Sequence, residues 1–154
     1  MGTEDERDLA VQARELIDAN RYLTLATADA DGRPWVAPVW YAHEGYGDLL
    51  WVSRPEARHS RNLAVRPEVA VVIFDSTVPV GAAQAVYVEA VAEQLGGAEA
   101  ERAIAAFSRR SQADGAGPWT VADVTAPAPH RLYRARASAH YLLGANDRRI
   151  LVRL

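Results

Sequence analysis

The sequence contains no cysteine and no lysine. Without cysteine there can be no disulfide, thiolate metal ligand or cysteine nucleophile. Without lysine there is no Schiff base on a lysine amine, no pyridoxal phosphate anchored on lysine and no P-loop lysine. An anion must therefore be held by arginine, histidine, hydroxyls or backbone amides. All 17 basic residues are arginine, and against 20 acidic residues they leave a formal charge of −3. That balance lacks the basic excess that non-specific nucleic-acid binding needs. Long apolar runs are missing too: no segment reaches the ~18 apolar residues of a membrane span. Met1-Gly2-Thr3-Glu4-Asp5-Glu6-Arg7 is acidic with no apolar stretch behind it, so no signal peptide is read there. The expectation is a cytoplasmic protein with neither nucleic-acid nor membrane partners. Its 154 residues, 49% apolar and 24% charged, specify a single folded domain over 1–154.

What is present is strongly patterned. Leu9, Ala13, Leu16 and Ile17 recur at helical spacing over residues 5–20, behind an acidic entry formed by Glu4 to Glu6. Residues 22–28 alternate as a strand does, Asp29 to Gly32 supply a turn, and a second strand is read over 35–43. Glu44 to Asp48 make a glycine-rich turn before a third strand at 49–53. Arg54-Pro55-Glu56 predicts a short helix from 55 to 65 with proline in its first position, ended by Arg66-Pro67. The uninterrupted apolar run at 69–74 reads as a strand buried on both faces, and 84–95 as a long strand. An alanine-rich helix over 98–112 leads into an irregular stretch at 113–129, after which 131–143 and 148–154 form a hairpin. Short turns and few helices predict an α+β fold, an antiparallel sheet of six or seven strands closing towards a barrel, which hides its edges.

The segment 49–74, LLWVSRPEARHSRNLAVRPEVAVVIF, concentrates the candidate chemistry. A strand ending at Ser53 feeds a helix carrying Arg58, His59, Ser60 and Arg61 in its first turns, so helix-start amides and cationic side chains converge. Arg58 and Arg61, and Arg58 and Asn62, have the spacing to serve one anion; the same pattern also describes a solvated helix face. His43, His130 and His140 are too scattered for a helical metal site, and no metal is expected. No Gly-x-Ser-x-Gly elbow occurs. The four tryptophans have no basic stripe around them and read as core or interface aromatics.

In order, the strand ending in a hydroxyl residue, the basic cluster, Asn62-Leu63, Pro67 and the buried VAVVIF resemble the flavin-binding split barrels of the pyridoxamine 5'-phosphate oxidase-like superfamily. Residues 32–41 (GRPWVAPVWY) resemble its first cofactor-lining strand, and 86–95 its later strand, with Ala90 where glycine is common. The resemblance covers residues 22–95 and, more loosely, 131–154. It implies a homodimer with the cofactor at the two-fold interface. It also implies cofactor contacts at Ala37, Pro38, Val39 and Trp40, at Val52 and Ser53, and at Arg58 and His59, with Arg61 and Ser60 compensating for the missing lysine and Asn62 as a further candidate. Arg58 would grip the phosphate of FMN or of the deazaflavin F420, and His59 stands where many relatives carry lysine. Gln84, Tyr141, Arg148 and Arg149 are candidates for the second subunit's wall. Ala139-His140-Tyr141-Leu142-Leu143-Gly144 replaces the tryptophan-rich signature of authentic pyridoxamine phosphate oxidases.

The implied activity is hydride transfer between FMN, or alternatively F420, and a small organic substrate, with no side chain required as acid or base. A non-catalytic barrel that stores or senses a flavin or heme, or a dimeric scaffold without ligand, makes the same demands on the sequence. The irregular 113–129 segment is the expected rim of the pocket.

Overall fold

The computed structural model describes residues 3–154, with side chains from Asp5 onward; Met1, Gly2 and the Glu4 side chain, used in the reading of the N-terminus, lie outside the described residues. Helix α1 (Thr3–Ala19) is followed by β1 (Tyr22–Ala28), β2 (Pro34–Trp40), β3 (Ala42–Glu44), β4 (Asp48–Ser53), α2 (Arg58–Val65), β5 (Glu68–Phe74) and β6 (Ala85–Leu95). Helix α3 (Gly97–Ala113), a 3-10 turn at Val121–Val124 and the hairpin β7 (Arg131–Leu143) and β8 (Arg149–Val152) complete the chain. All eight strands belong to one antiparallel sheet ordered β2-β1-β5-β6-β7-β4-β3, with β8 on the far half of β7. The two ends of this order, β2 and β3, are consecutive in the chain, so the sheet curls back on itself through a covalent link at Tyr41. This is the expected α+β class, an antiparallel sheet with few helices, curled into a half-barrel.

The strand expected over 35–43 is two strands, which raises the count to eight. β2 pairs with β1 down to Tyr22↔Trp40, and β3 pairs with β4 from Ala42↔Leu50. Between them Tyr41 leaves both ladders: its N–H donates to the Arg21 carbonyl at 3.1 Å, and its buried hydroxyl donates to the Ile17 carbonyl at the end of α1. Apolar periodicity cannot show a change of pairing partner, because Tyr41 is as apolar as its neighbours. The helix expected from Pro55 begins three residues later. Arg54 to Ala57 form a turn closed by Ala57 N–H to the Arg54 carbonyl at 3.1 Å, in which Pro55 takes the second position, and Ala57 is extended before Arg58 opens the helix. Gln84 lies just before β6 rather than within it.

The barrel interior is filled by Leu23, Leu25, Val39, Leu49, Trp51, Val71, Ile73, Val88 and Tyr133, with Ala13 and Ile17 of α1 packed against them. A second cluster joins Ile104 and Phe107 of α3 to Leu50, Leu132 and Val124. β4 is thus buried on both faces, Leu49 and Trp51 inward and Leu50 under α3. β5 is not. Val69, Val71 and Ile73 point inward, while Ala70 and Phe74 are exposed and Val72 is half-buried, correcting the expectation of a strand covered on both sides. On the outward face of the sheet a largely apolar row crosses six strands, with Leu151, Tyr141, Tyr87, Val72, Thr24 and Pro38 as successive cross-strand neighbours.

Removing the Tyr41 hydroxyl leaves the Ile17 carbonyl without its buried donor. Tyr41→Phe is expected to lower unfolding stability by about 1–3 kcal/mol, measured by urea denaturation; an unchanged midpoint would show that the hydroxyl does not hold this crossing.

Candidate functional site

α2 presents its first residues to two different surfaces. At the end of β4, the Ser53 hydroxyl and His59 Nε2 are 2.8 Å apart. They lie in a cleft of about 310 Å³ that also takes in Val52 and, from β2, Pro38, Val39 and Trp40. The opposite wall is Phe107 of α3 with Trp119 and His130 from the irregular segment and its end. The aromatics stand edge to face in series: Trp40 and Phe107 at 5.1 Å, Phe107 and Trp119 at 5.7 Å, Trp119 and His130 at 6.0 Å between centroids. The Trp40 indole N–H donates to Asp114 Oδ2 at 3.0 Å, and that carboxylate is paired with Arg110 at 3.0 Å. The end of α3 thereby fixes the ring that walls the cleft.

Six of the residues singled out in the sequence therefore meet in this cleft: Pro38, Val39, Trp40, Val52, Ser53 and His59. Ala37 is half-buried on the same strand, paired with Leu25, and does not line the cleft. β2 ends the ladder order, so one of its edges has no strand partner among the described residues. Pro38 has no N–H to offer there, and because N–H groups alternate in direction along a strand, only every second residue of β2 turns its amide to that edge.

The shared anion seat expected of Arg58, Arg61 and Asn62 is not assembled. The Arg58 guanidinium lies 4.2 Å over the Trp35 ring, while Arg61 borders a separate cleft with Ser60 and Tyr133. Asn62 is buried and its amide donates to the Thr27 hydroxyl at 3.0 Å, tying α2 to β1. Helical spacing brings side chains to one side of a helix but does not register what each then packs against. Gln84 accepts a hydrogen bond from Gln12 of α1, away from Ser53 and His59. Tyr141 lies on the outward sheet face with its hydroxyl 3.5 Å from Glu89, and Arg149 stacks on Tyr87 of the same face at 4.0 Å.

No arginine lines the Ser53–His59 cleft, so its cationisable groups are His59 and His130. Burial holds the His59 imidazole below its ordinary pKa. The ring nitrogens of His130 make no hydrogen bond among the described residues. Of the other histidines, His43 meets Asp18 at 2.7 Å and His140 meets the Tyr46 carbonyl at 3.0 Å. Phe107 and His130 escaped the sequence reading as site residues. Phe107 sits at an ordinary apolar position of α3, and an isolated histidine carries no motif; Trp119 lies in the segment read as the rim.

A family model described as pyridoxamine 5'-phosphate oxidase matches residues 9–143. Over 69 residues the chain is 39% identical to heme oxygenase HutZ of Vibrio cholerae serotype O1, a match covering 44% of this chain and 38% of that protein. Among solved structures it superposes on a heme binding protein from Mycobacterium smegmatis at a TM-score of 0.74 and 25% identity, covering 94% of this chain and 57% of the other. An F420 reductase aligns at a TM-score of 0.54 and 25% identity, over 77% of this chain and 87% of its own. The sequence match thus spans well under two thirds of HutZ, and the superposition spans under two thirds of the mycobacterial protein.

Lowered imidazole pKa values make stability depend on pH. Burial depresses both His59 and His140, so the unfolded chain binds protons first as pH falls below about 6.5. Stability should be complete above that value and decline as pH drops through the folded-state pKa values. His59→Gln should flatten part of the decline in melting temperature between about pH 6.5 and 5; a slope identical to the parent's would remove His59 from that account.

Proposed function

This chain belongs to the pyridoxamine 5'-phosphate oxidase family, and on that footing we propose that it is a homodimeric flavin-dependent oxidoreductase holding FMN in the Ser53–His59 cleft. The observation that carries the reading is the cleft itself: a polar pair at the start of α2 faces an aromatic wall, beside a strand with a free edge. A tricyclic ring needs apolar walls and a few fixed polar groups. Trp40, Phe107 and Trp119 are the walls; Ser53, His59 and the amides of β2 are the polar groups. Bound FMN supplies hydride transfer to or from a small organic substrate, and the protein contributes position and exclusion of water. In this arrangement Ser53 and His59, rather than Arg58, meet the phosphate. F420 is the alternative cofactor of the same fold, supported by the alignment with an F420 reductase.

The homodimer is part of the proposal. The row from Leu151 through Tyr87 and Val72 to Pro38 leaves an apolar sheet face uncovered, with Leu151 58% and Phe74 43% exposed. Continuous apolar surface of this kind marks an association site, and a second copy would bring Tyr141 and Arg149 to the open side of a cleft. Heme in the same cleft is a second reading. It is favoured by the unpartnered imidazole of His130 on the aromatic wall and by the heme-related names of two relatives.

Titrating the purified protein separately with FMN, F420 and hemin decides between these readings. FMN should bind with quenched fluorescence and be reduced on addition of a hydride donor. His59→Ala should weaken it by about tenfold or more, as expected for a charge-assisted contact, and Arg58→Ala by less. A Soret shift with hemin that is lost in His130→Ala, without FMN binding, would favour the heme reading. Binding of none of the three would sink both. By sedimentation the protein should have twice the 16.8 kDa chain mass, and Val72→Arg, at the centre of the apolar row, should run as a monomer.

A further inference from the structure

A second cleft, of about 420 Å³, lies on the other side of α2, between that helix and the paired ends of β6 and β7. It shares no lining residue with the Ser53–His59 cleft. Ser60 borders it and is only 2% exposed, yet its hydroxyl makes no hydrogen bond of ordinary geometry. The neighbouring phenol of Tyr133 is turned to Gln94 Oε1 at 3.4 Å. Burial pushes that phenol above its usual pKa, and the Ser60 hydroxyl, near enough to interact with the phenol oxygen without ordinary hydrogen-bond geometry, pulls in the opposite direction. A buried hydroxyl without a partner costs stability unless something outside the chain accepts its proton. Arg61 borders the same cleft, and its guanidinium has no carboxylate partner among the described residues. Glu93 at the margin is already held by Arg134.

We propose that this cleft binds a small organic acid, its carboxylate set between the Arg61 guanidinium and the Ser60 hydroxyl and its apolar body against Pro55, Leu63 and Pro67. One cation and a margin bearing Glu93 suit a monoanion and disfavour a phosphate dianion. A protonated amine would face the free guanidinium and is excluded by like charge. The apolar walls require a ligand with a hydrocarbon or aromatic body, not a bare inorganic ion. The proposal stands independently of which cofactor occupies the other cleft.

The test follows amide resonances of the full-length protein while benzoate and hexanoate are added, with benzyl alcohol as the uncharged control. Both acids should move the amides of Arg61, Ala92 and Gln94, and the alcohol should not at the same concentration. Arg61→Gln should weaken benzoate by about tenfold, the scale of a lost charge-assisted hydrogen bond, and Ser60→Ala should also weaken it. Ser60→Ala should fold with a melting temperature close to the parent's, because the hydroxyl makes no hydrogen bond of ordinary geometry. FMN affinity of Ser60→Ala should equal the parent's, which keeps this outcome separate from the cofactor reading. Equal binding of the alcohol, indifference to both variants, or shifts confined to Ser53 and His59 would each overturn the proposal.

Discussion

The crossing at Tyr41 is the constraint on which the rest of the molecule depends. Here the backbone leaves the β1 ladder and joins β4 through β3, and the two hydrogen bonds of Tyr41 anchor that step to Arg21 and to Ile17 at the end of α1. A buried phenol far from water can afford neither an unpaired hydroxyl nor ionisation, and burial accordingly pushes its pKa well up. Everything that lines the Ser53–His59 cleft from β2 lies within three residues of this step. Trp40, immediately before it, is turned outward to Asp114 and Phe107, while Tyr41 is turned inward to the core. The same alternation that fills the barrel therefore builds the aromatic wall outside it.

α2 divides the chemistry of the chain. Eight residues cover two turns, enough to send His59 to one cleft, Ser60 and Arg61 to another, and Asn62 into the contact with β1. Because the chain has no lysine and Arg58 lies on Trp35, the polar floor of the Ser53–His59 cleft is an imidazole and a hydroxyl. An imidazole partly removed from water favours its neutral form, so it holds an anion only by taking up a proton as the anion arrives. Such a site has weaker fixed charge than a lysine would give, and its charge depends on its occupant.

The uncovered sheet face gives the proposed dimer a physical basis. β5 is half of a core: its inward residues meet the barrel, while outward Ala70 and Phe74 are exposed and Val72 is only half-buried. At the opposite edge of the sheet, Arg134 is 4% exposed and is held by Glu93, Glu99 and Asp48. That network links β6, β7, β4 and the first turn of α3, so the site wall carried by α3 is locked to the sheet by charge as well as by Phe107. Glu93 and Glu99 are themselves more than half exposed, so water screens their pairs with the buried guanidinium.

How much was legible in the sequence varies with the range of the interaction concerned. The α+β half-barrel, the helices over α1 and α3, the β7–β8 hairpin and the placement of Ser53 and His59 at a strand-to-helix junction follow from local periodicity and turn residues, which act over a few positions. The late start of α2 was missed because Pro55 suits a turn as well as a first helical position, and only the extended Ala57 distinguishes the two. The break at Tyr41, the turning of Arg58 onto Trp35, the burial of Asn62 against Thr27 and the arrival of Phe107 and His130 opposite Ser53 all join residues far apart in the chain. Composition determined which chemistries were closed to this protein, because an absent side chain is absent in every fold. Tertiary structure decided which of the remaining groups meet, because hydrogen-bond partners and neighbours in the packed core are chosen by distance in space, which a residue's position in the chain does not encode.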